Sequence, residues 1–451
     1  MPTDLKKIEH IFVVMMENRS FDHLLGYLDL PPHNRTDIVG IKDAQTKGYG
    51  NLHNGSNYAP QPRTDPAVSV DPLHEREPVA QQMQWQPGDP MMSGFVRDYA
   101  TVSPADPLPT GQYYTAAEVP VLNFMAENFC VCDHWFACLP ASTQPNRLMA
   151  MSGYAMRDHT LNKLLEDQDN MVYDWLDQHG VSWRVYSEGP PFFMLMQKVR
   201  NRIIADIWSH HFRGSEMLIH DLRNSDEQLP QVIFIEPEYT DGPNPEKGDD
   251  DHPTTSITRG QQFLLDVYNA IGQSDPVARE RWSKSVLVIT YDEHGGFFDH
   301  VEPRPLLTKQ NHGENYKLFT TTGMRVPALV VSPFVERGRA FNGILDHTSI
   351  LKLLAEKYGN PGEQYSEDVA ARTSVQSLSA VLSRDTARPD LAPLPTVTLA
   401  ATPGAPLSGS TMLSPNQLAF RNALEEVRQS DPKAGAQKYP QLKNYFLRGS
   451  R

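Results

Sequence analysis

Apolar residues gather in short runs along this chain, and four of these runs share one feature. Residues 11–16, 181–186, 232–235 and 286–291 are rich in β-branched and aromatic side chains. Runs of this length fit strands buried on both faces, as in a parallel sheet. Each leads into acid: Glu17, Glu188, Glu236, and the doublet Asp292-Glu293. Between the runs the period changes to that of a helix. Phe263, Leu264, Val267, Tyr268 and Ile271 fall on one face. Ile350, Leu351 and Leu354 fall on another, entered through the cap-rich Asp346-His347-Thr348-Ser349. Strand and helix alternating in this way predict an α/β fold, a large mostly parallel central sheet with helices on both faces. Ligands of such sheets sit beyond the carboxyl ends of the strands. Acids at four strand ends therefore point to a shared pocket.

Two stretches break the pattern. Residues 31–115 are rich in Pro, Gly, Asn, Asp and Gln with little periodicity, and read as a long loop-rich insertion after the first strand. Residues 387–406 carry Pro389, Pro393, Pro395, Pro403 and Pro406 and favour extended chain. A last helix then opens at Ser414-Pro415-Asn416-Gln417 and places Phe420, Ala423, Leu424 and Val427 on one face. The division expected is a catalytic domain over 1–385, and an extended segment plus terminal helix over 386–451 packed on the same domain.

Composition narrows the class. A run of roughly 18 apolar residues is needed to cross a bilayer, and none is present, so no transmembrane segment is expected. A net charge of −14 argues against nucleic-acid binding by bulk attraction. The apolar run after the N-terminus stops at Glu17-Asn18-Arg19, so no secretory signal peptide is read and localisation stays open. Cys130, Cys132 and Cys138 lack the usual zinc spacing, and read as free thiols or at most one disulfide.

Four groups of residues carry chemistry. In Met16-Glu17-Asn18-Arg19-Ser20-Phe21-Asp22-His23, a carboxylate and an amide oxygen stand together at a strand end and can both reach a hard cation. Asn18, Ser20 and Asp22 are also good helix caps, and capping is the plainer account of these residues alone. In Thr290–His300, Asp292 and Glu293 end a buried strand, which is costly unless a cation compensates them. Gly295-Gly296 lets the backbone turn closely past, and Asp299-His300 can act as a clamp or a further ligand. In Ser142-Thr143-Gln144-Pro145-Asn146-Arg147, Thr143 falls near a helix N-terminus that favours an anion, and Arg147 can bind a phosphate. By itself this Thr is better read as a cap. His74, His252 and His347 each lie near an acid that can fix the tautomer; taken singly, each also suits a structural role.

Together these strings resemble a known family. IFVVMMENRSFDHLLGYL, STQPNR, DDDHPTTSITRGQ, TYDEHGGFFDHV and VPALVVSPFV, in that order, are similar to the bacterial phosphoesterases, which include phosphocholine-type phospholipases C and acid phosphatases. The resemblance runs from about residue 6 to about 382. It implies an alkaline phosphatase-like fold and a metal-dependent hydrolase of phosphate esters. One divalent ion (Ca, Mg, Mn or Zn) would be held by Glu17, Asn18, Thr143, Asp292 and Glu293. Thr143 takes the nucleophile position, with His74 and His252 as catalytic or phosphate-binding histidines. Asp299, His300 and His347 match family strings in supporting roles. Relatives often carry Gly-Pro before the nucleophile where this chain has Ala141-Ser142, so Ser142 is a second hydroxyl to weigh.

The substrate stays open between a phospholipid and a small phosphate ester. Tyr49, Tyr58, Trp85, Met91, Met92, Tyr99, Tyr113 and Tyr114 either rim an open apolar site or pack the insertion. Two alternatives stand beside hydrolysis of phosphate esters. One is a sulfatase-like esterase, suggested by the Thr-x-Pro-x-Arg string. The other is a non-catalytic metal-binding module on the same fold.

Overall fold

The residue 11–16 run lies at the middle of the molecule, in strand β1 (His10–Met16), and the sheet is built outward from it. The computed structural model describes residues 3–165, 168–205, 211–272, 275–306, 317–390, 397, 399 and 413–447. The other sheet strands are β2 (Cys130–Cys132), β3 (Trp183–Ser187), β4 (Phe212–Gly214), β5 (Val232–Glu236), β6 (Ser285–Tyr291), β7 (Ala328–Val331) and β8 (Arg339–Phe341). They form one eight-stranded sheet in the order β8-β2-β7-β6-β1-β5-β3-β4. The pairs on either side of β1 are parallel, and β7 runs against both its neighbours, β6 and β2. The sheet is thus mixed and mostly parallel.

Burial explains why these runs show no alternation. Every residue of β6 is buried, as are six of the seven in β1, so both faces are covered. The principal covering helices are α1 (Thr143–Ser152), α2 (Ile257–Ile271), α3 (Thr348–Tyr358) and α4 (Pro415–Ser430). In α2 the predicted stripe Phe263, Leu264, Val267, Tyr268 and Ile271 is buried. Helix α4 starts with the expected capping box between Ser414 and Gln417. It packs Phe420 against Tyr239 and Phe192, and Glu426 pairs with Arg200. Most of the Pro-rich stretch 387–406 lies outside the described residues.

The insertion is more ordered than its composition suggests. It holds the helices Ile41–Lys47, Arg76–Met83 and Phe95–Tyr99, with a hairpin of Asn51–His53 and Ser56–Tyr58. Helices of this length are too short for a 3.6-residue period to emerge from the sequence. Val79, Met92 and Phe95 form a small core there with Phe298 and Met324, and Tyr49 and Met91 pack against it. Tyr99, Tyr113 and Tyr114 are buried as well. Most of the candidate rim residues therefore pack the insertion. Cys130, Cys132 and Cys138 are free and buried.

Candidate functional site

Strand register brings the first and second chemical strings together. In the parallel pairing of β1 with β6, Met16 stands opposite Tyr291, so Glu17 and Asp292 leave the sheet side by side. Asn18 follows with φ 60°, a left-handed conformation that Asn tolerates better than most residues. Its backbone N–H donates to Asp292 Oδ1 at 3.2 Å, and the Glu293 N–H donates to the same oxygen at 2.8 Å. Gly295 makes the approach possible. At φ 59°, a Cβ there would lie 2.3 Å from the Asn18 carbonyl oxygen.

The acids at the four strand ends do not share one pocket. Glu17 and Asp292-Glu293 do, because β1 and β6 are neighbours in register. Glu236 accepts from the Phe192 N–H and lines a separate, mainly apolar cavity behind Arg147. Glu188 faces a surface pocket with Asp249 and Arg259.

Helix α1 supplies the third element. Its first residue, Thr143, donates its hydroxyl to Glu293 Oε1 at 3.1 Å and is 3% exposed. Ser142 points elsewhere: its hydroxyl bonds Glu75 at 2.7 Å and Thr160 at 2.8 Å. Arg147, one turn on, was expected on a phosphate. Its guanidinium is instead spent on the protein. Nε donates to Asp292 Oδ2 at 3.1 Å, one terminal nitrogen to the Tyr239 hydroxyl at 2.8 Å, and the other to Glu17 Oε1 at 3.1 Å and the Met15 carbonyl at 3.2 Å. It neutralises acid rather than facing outward.

Three histidines approach from loops. His74 gives its Nδ1 proton to the Pro72 carbonyl at 2.7 Å. Its Nε2 lone pair therefore meets the Asn18 side-chain amide at 3.3 Å, and it lies 3.9 Å from Glu293 Oε1. His252 bonds the Pro253 carbonyl through Nδ1 and turns Nε2 toward Asp71, 4.0 Å away. Its ring centroid is 6.1 Å from that of His74. Burial disfavours the charged form of His252, but Asp71, Asp241, Glu17 and Asp250 outweigh burial and lift its pKa to about 10. His347 accepts from the Trp135 indole at 3.2 Å, so its Nε2 holds the proton and donates to the Asp292 carbonyl at 2.7 Å. It buttresses the backbone of the acid doublet.

The centre is short of positive charge. Burial, then the neighbouring Asp292 charge, pushes both Glu17 and Glu293 above the usual carboxylate range. Glu17 Oε2, Asn18 Oδ1 and Glu293 Oε2 are buried with no hydrogen-bond partner. Orphaned acceptors of this kind are rare and costly. All three are oxygens, the donor type a hard divalent cation takes. The residues present therefore fit a metal ion of that class.

Asp299 and His300 stand in a different cluster. Arg325 pairs with Asp299 at 2.9 Å and with Asp22 at 2.9 Å, while His300 bridges Asp22 at 2.5 Å and Asp43 at 3.1 Å. The Asp22 N–H donates to Asp299 at 3.1 Å. This network clamps the 18–23 turn to the 294–300 turn, and Arg325 already occupies the carboxylates a metal would need. Several contributors escape sequence reading. Tyr239 and Glu75 carry no motif of their own. His294 reaches Gln82 at 2.7 Å, and Gln82 in turn holds the Leu73 carbonyl beside His74 at 2.6 Å. Burial lowers the pKa of His294 to about 3, so it stays neutral.

The same chain has recognisable relatives. A model of the Phosphoesterase family matches residues 8–361. Non-specific phospholipase C3 of Arabidopsis thaliana is 29% identical over 415 residues, which cover 85% of this chain and 75% of that protein. Non-specific phospholipase C1 of the same plant is 31% identical over 350 residues, 73% of this chain but 62% of the relative. Among solved structures, a protein in the alkaline phosphatase superfamily from Vibrio parahaemolyticus aligns with 53% of this chain and 60% of its own, at 9% identity and a TM-score of 0.31.

Proposed function

Because the chain belongs to the Phosphoesterase family, we propose that it cleaves phosphate esters of the phospholipase C type in two steps, with Thr143 as the nucleophile. Hydrolysis of a phosphoric ester is the reaction class that membership sets. One observation carries the finer reading. The Thr143 hydroxyl rests on Glu293 at 3.1 Å, among buried Glu17, Asn18 and Glu293 oxygens that have no other partner.

A divalent cation held by Glu17, Asn18, Thr143, Asp292 and Glu293 would polarise a phosphoryl oxygen and acidify the threonine hydroxyl. Glu293 Oε1 is the acceptor in line for the Thr143 proton. The Thr143 oxygen bonds to phosphorus as the bond from phosphorus to the alcohol oxygen breaks. His252, charged at neutral pH by its acid neighbours, supplies the proton that the departing alkoxide needs. Water then attacks the phosphothreonine and gives a proton to His74, whose Nε2 lone pair faces the site. Thr143 leaves as an alcohol, taking back the proton that Glu293 accepted in the first step. The positive end of the α1 dipole favours the charge on the phosphoryl oxygens. Arg147 holds Glu17 and Asp292 apart and in place.

A second reading has its own support. The insertion's aromatic residues are largely consumed in packing, and the acids of the centre are fully buried. Both features suit a small phosphate monoester better than a lipid. Parallel assays on p-nitrophenyl phosphorylcholine and p-nitrophenyl phosphate, with aryl sulfate as a control, decide between them. Thr143→Ala is expected to remove turnover of the preferred substrate while metal content by elemental analysis stays unchanged. Near-normal turnover in that variant would refute the threonine.

A further inference from the structure

Ser142 occupies the N-cap position of α1, where a serine ordinarily accepts a hydrogen bond from the first turn. Here it makes no such bond. Thr160 serves that turn instead, its Oγ1 accepting from the Gln144 N–H at 3.3 Å. The Ser142 hydroxyl is diverted to Glu75 Oε2 at 2.7 Å. The Thr160 N–H donates to both Glu75 oxygens at 3.2 Å and to Ser142 Oγ at 3.1 Å. Carboxylates only accept, so the Ser142 proton points at Glu75 and the Thr160 hydroxyl, 2.8 Å away, donates to Ser142. The direction of every bond in the trio is thereby set.

The sequence neighbours of this trio are what matter. Glu75 follows His74, and Ser142 precedes Thr143. No hydrogen bond joins His74 to Thr143; both meet Glu293, His74 at 3.9 Å and Thr143 at 3.1 Å. We propose that Glu75, Ser142 and Thr160 form a lock that sets the His74 imidazole against the Thr143 hydroxyl, with all three acting as positioning residues. The inference rests on the proposed role of Thr143. It also sets Ser142 apart from Thr143 by its partners, Glu75 and Thr160 in place of the Glu293 carboxylate with its orphaned oxygen. The bond spans 67 residues of sequence, so it ties the insertion to the sheet-borne half of the site. Releasing it frees the His74 loop while Thr143 keeps its contact with Glu293.

The test is a double-mutant cycle on the full chain with metal bound, assayed on p-nitrophenyl phosphorylcholine and p-nitrophenyl phosphate. Ser142→Ala and Glu75→Gln should each lower kcat by about 10–100-fold, the range for residues that orient a catalytic group through a hydrogen bond. KM and metal content should hold. The double variant should be no worse than either single one. Ser142→Thr, which keeps the hydroxyl, should recover most of the rate. Additive losses, or full activity in Ser142→Ala, would overturn the lock. Should Glu75→Gln fail to fold, Ser142→Ala removes one oxygen and decides alone. Thr143→Ala separates the two ideas: turnover surviving there sinks the nucleophile, whereas an inactive Thr143→Ala beside a fully active Ser142→Ala sinks only the lock.

Discussion

Two clusters of buried acids and arginine lie along the same pair of turns, and they are finished differently. Around Arg325, the Asp22 and Asp299 carboxylates are met on every oxygen, by the guanidinium, by His300 or by backbone N–H groups. Around Arg147, three carboxylates face one guanidinium. Glu17 and Glu293 each keep an oxygen with no partner, as does the Asn18 amide. With all three carboxylates ionised, two negative charges are in excess, the size and sign a divalent cation corrects. A satisfied network holds turns together, whereas an unsatisfied one at the same depth waits for something. The difference separates the candidate site from the clamp, although both draw on the same residue types.

This contrast can be broken at either end. The largest effect expected is from Arg325→Met, which strands Asp22 and Asp299 without a counter-charge at a cost of about 3–5 kcal/mol. Urea denaturation measures it, and a loss below ~1 kcal/mol would show the clamp to be dispensable. Next comes Gly295→Ala, where the added methyl meets the Asn18 carbonyl at a φ that only glycine adopts freely. A loss of about 1–3 kcal/mol is expected together with weakened metal retention. Glu293→Gln should do the reverse of Arg325→Met. It removes repulsion, so the metal-free protein should melt higher, while activity falls by ~100-fold or more with metal affinity. Chelation should likewise lower the melting temperature of the native protein and leave that of Glu293→Gln nearly unmoved. If both variants lose metal-free stability alike, the clusters are equivalent and the contrast fails.

The smallest effect is a pH dependence of the clamp. His300 is held above its ordinary value: burial opposes its charge, but Asp22 outweighs burial. Asp22 is held below its own, since His300 and Arg325 together overcome burial. A raised histidine stabilises fully below its unfolded value of ~6.5 and loses that contribution as pH rises through the folded value. A depressed aspartate does the opposite, losing its share as pH falls through the lowered value. The clamp is therefore strongest in mildly acidic solution. Comparing native protein with His300→Gln by urea denaturation should give a stability gap that is wide near about pH 5.5 and narrows toward alkaline pH. A gap that widened instead would mean His300 is buried neutral.

Much of the site was legible because parallel strands deliver their next residues to one edge. The doublets Glu17-Asn18 and Asp292-Glu293 follow unbroken apolar runs, and a hydroxyl ahead of Pro145 places the start of helix α1 near Thr143. Other expectations needed correcting. Glu188 and Glu236 follow strands too, yet neither joins the acid centre: β5 pairs Ile235 with Val14, so Glu236 falls short of Glu17, and Glu188 follows β3, one strand farther out. Arg147 looked like an anion receptor and proved to be a counter-charge. Of the two roles open to Asp299 and His300, clamp or ligand, they take the clamp, with Arg325, a residue that carries no motif of its own.

By itself, then, the order of residues determined which elements form and which acids, amide and alcohol stand at their ends. Those outcomes depend on local periodicity and on the direction of a parallel strand, both written within a few neighbouring positions. Tertiary structure alone decided which of those groups keep a free oxygen, which arginine is spent on which acid, and that the serine beside the threonine turns away to Glu75. Each of these is a matter of ångströms between segments tens to hundreds of residues apart, and such distances are set by strand register and close packing rather than by any one stretch of chain.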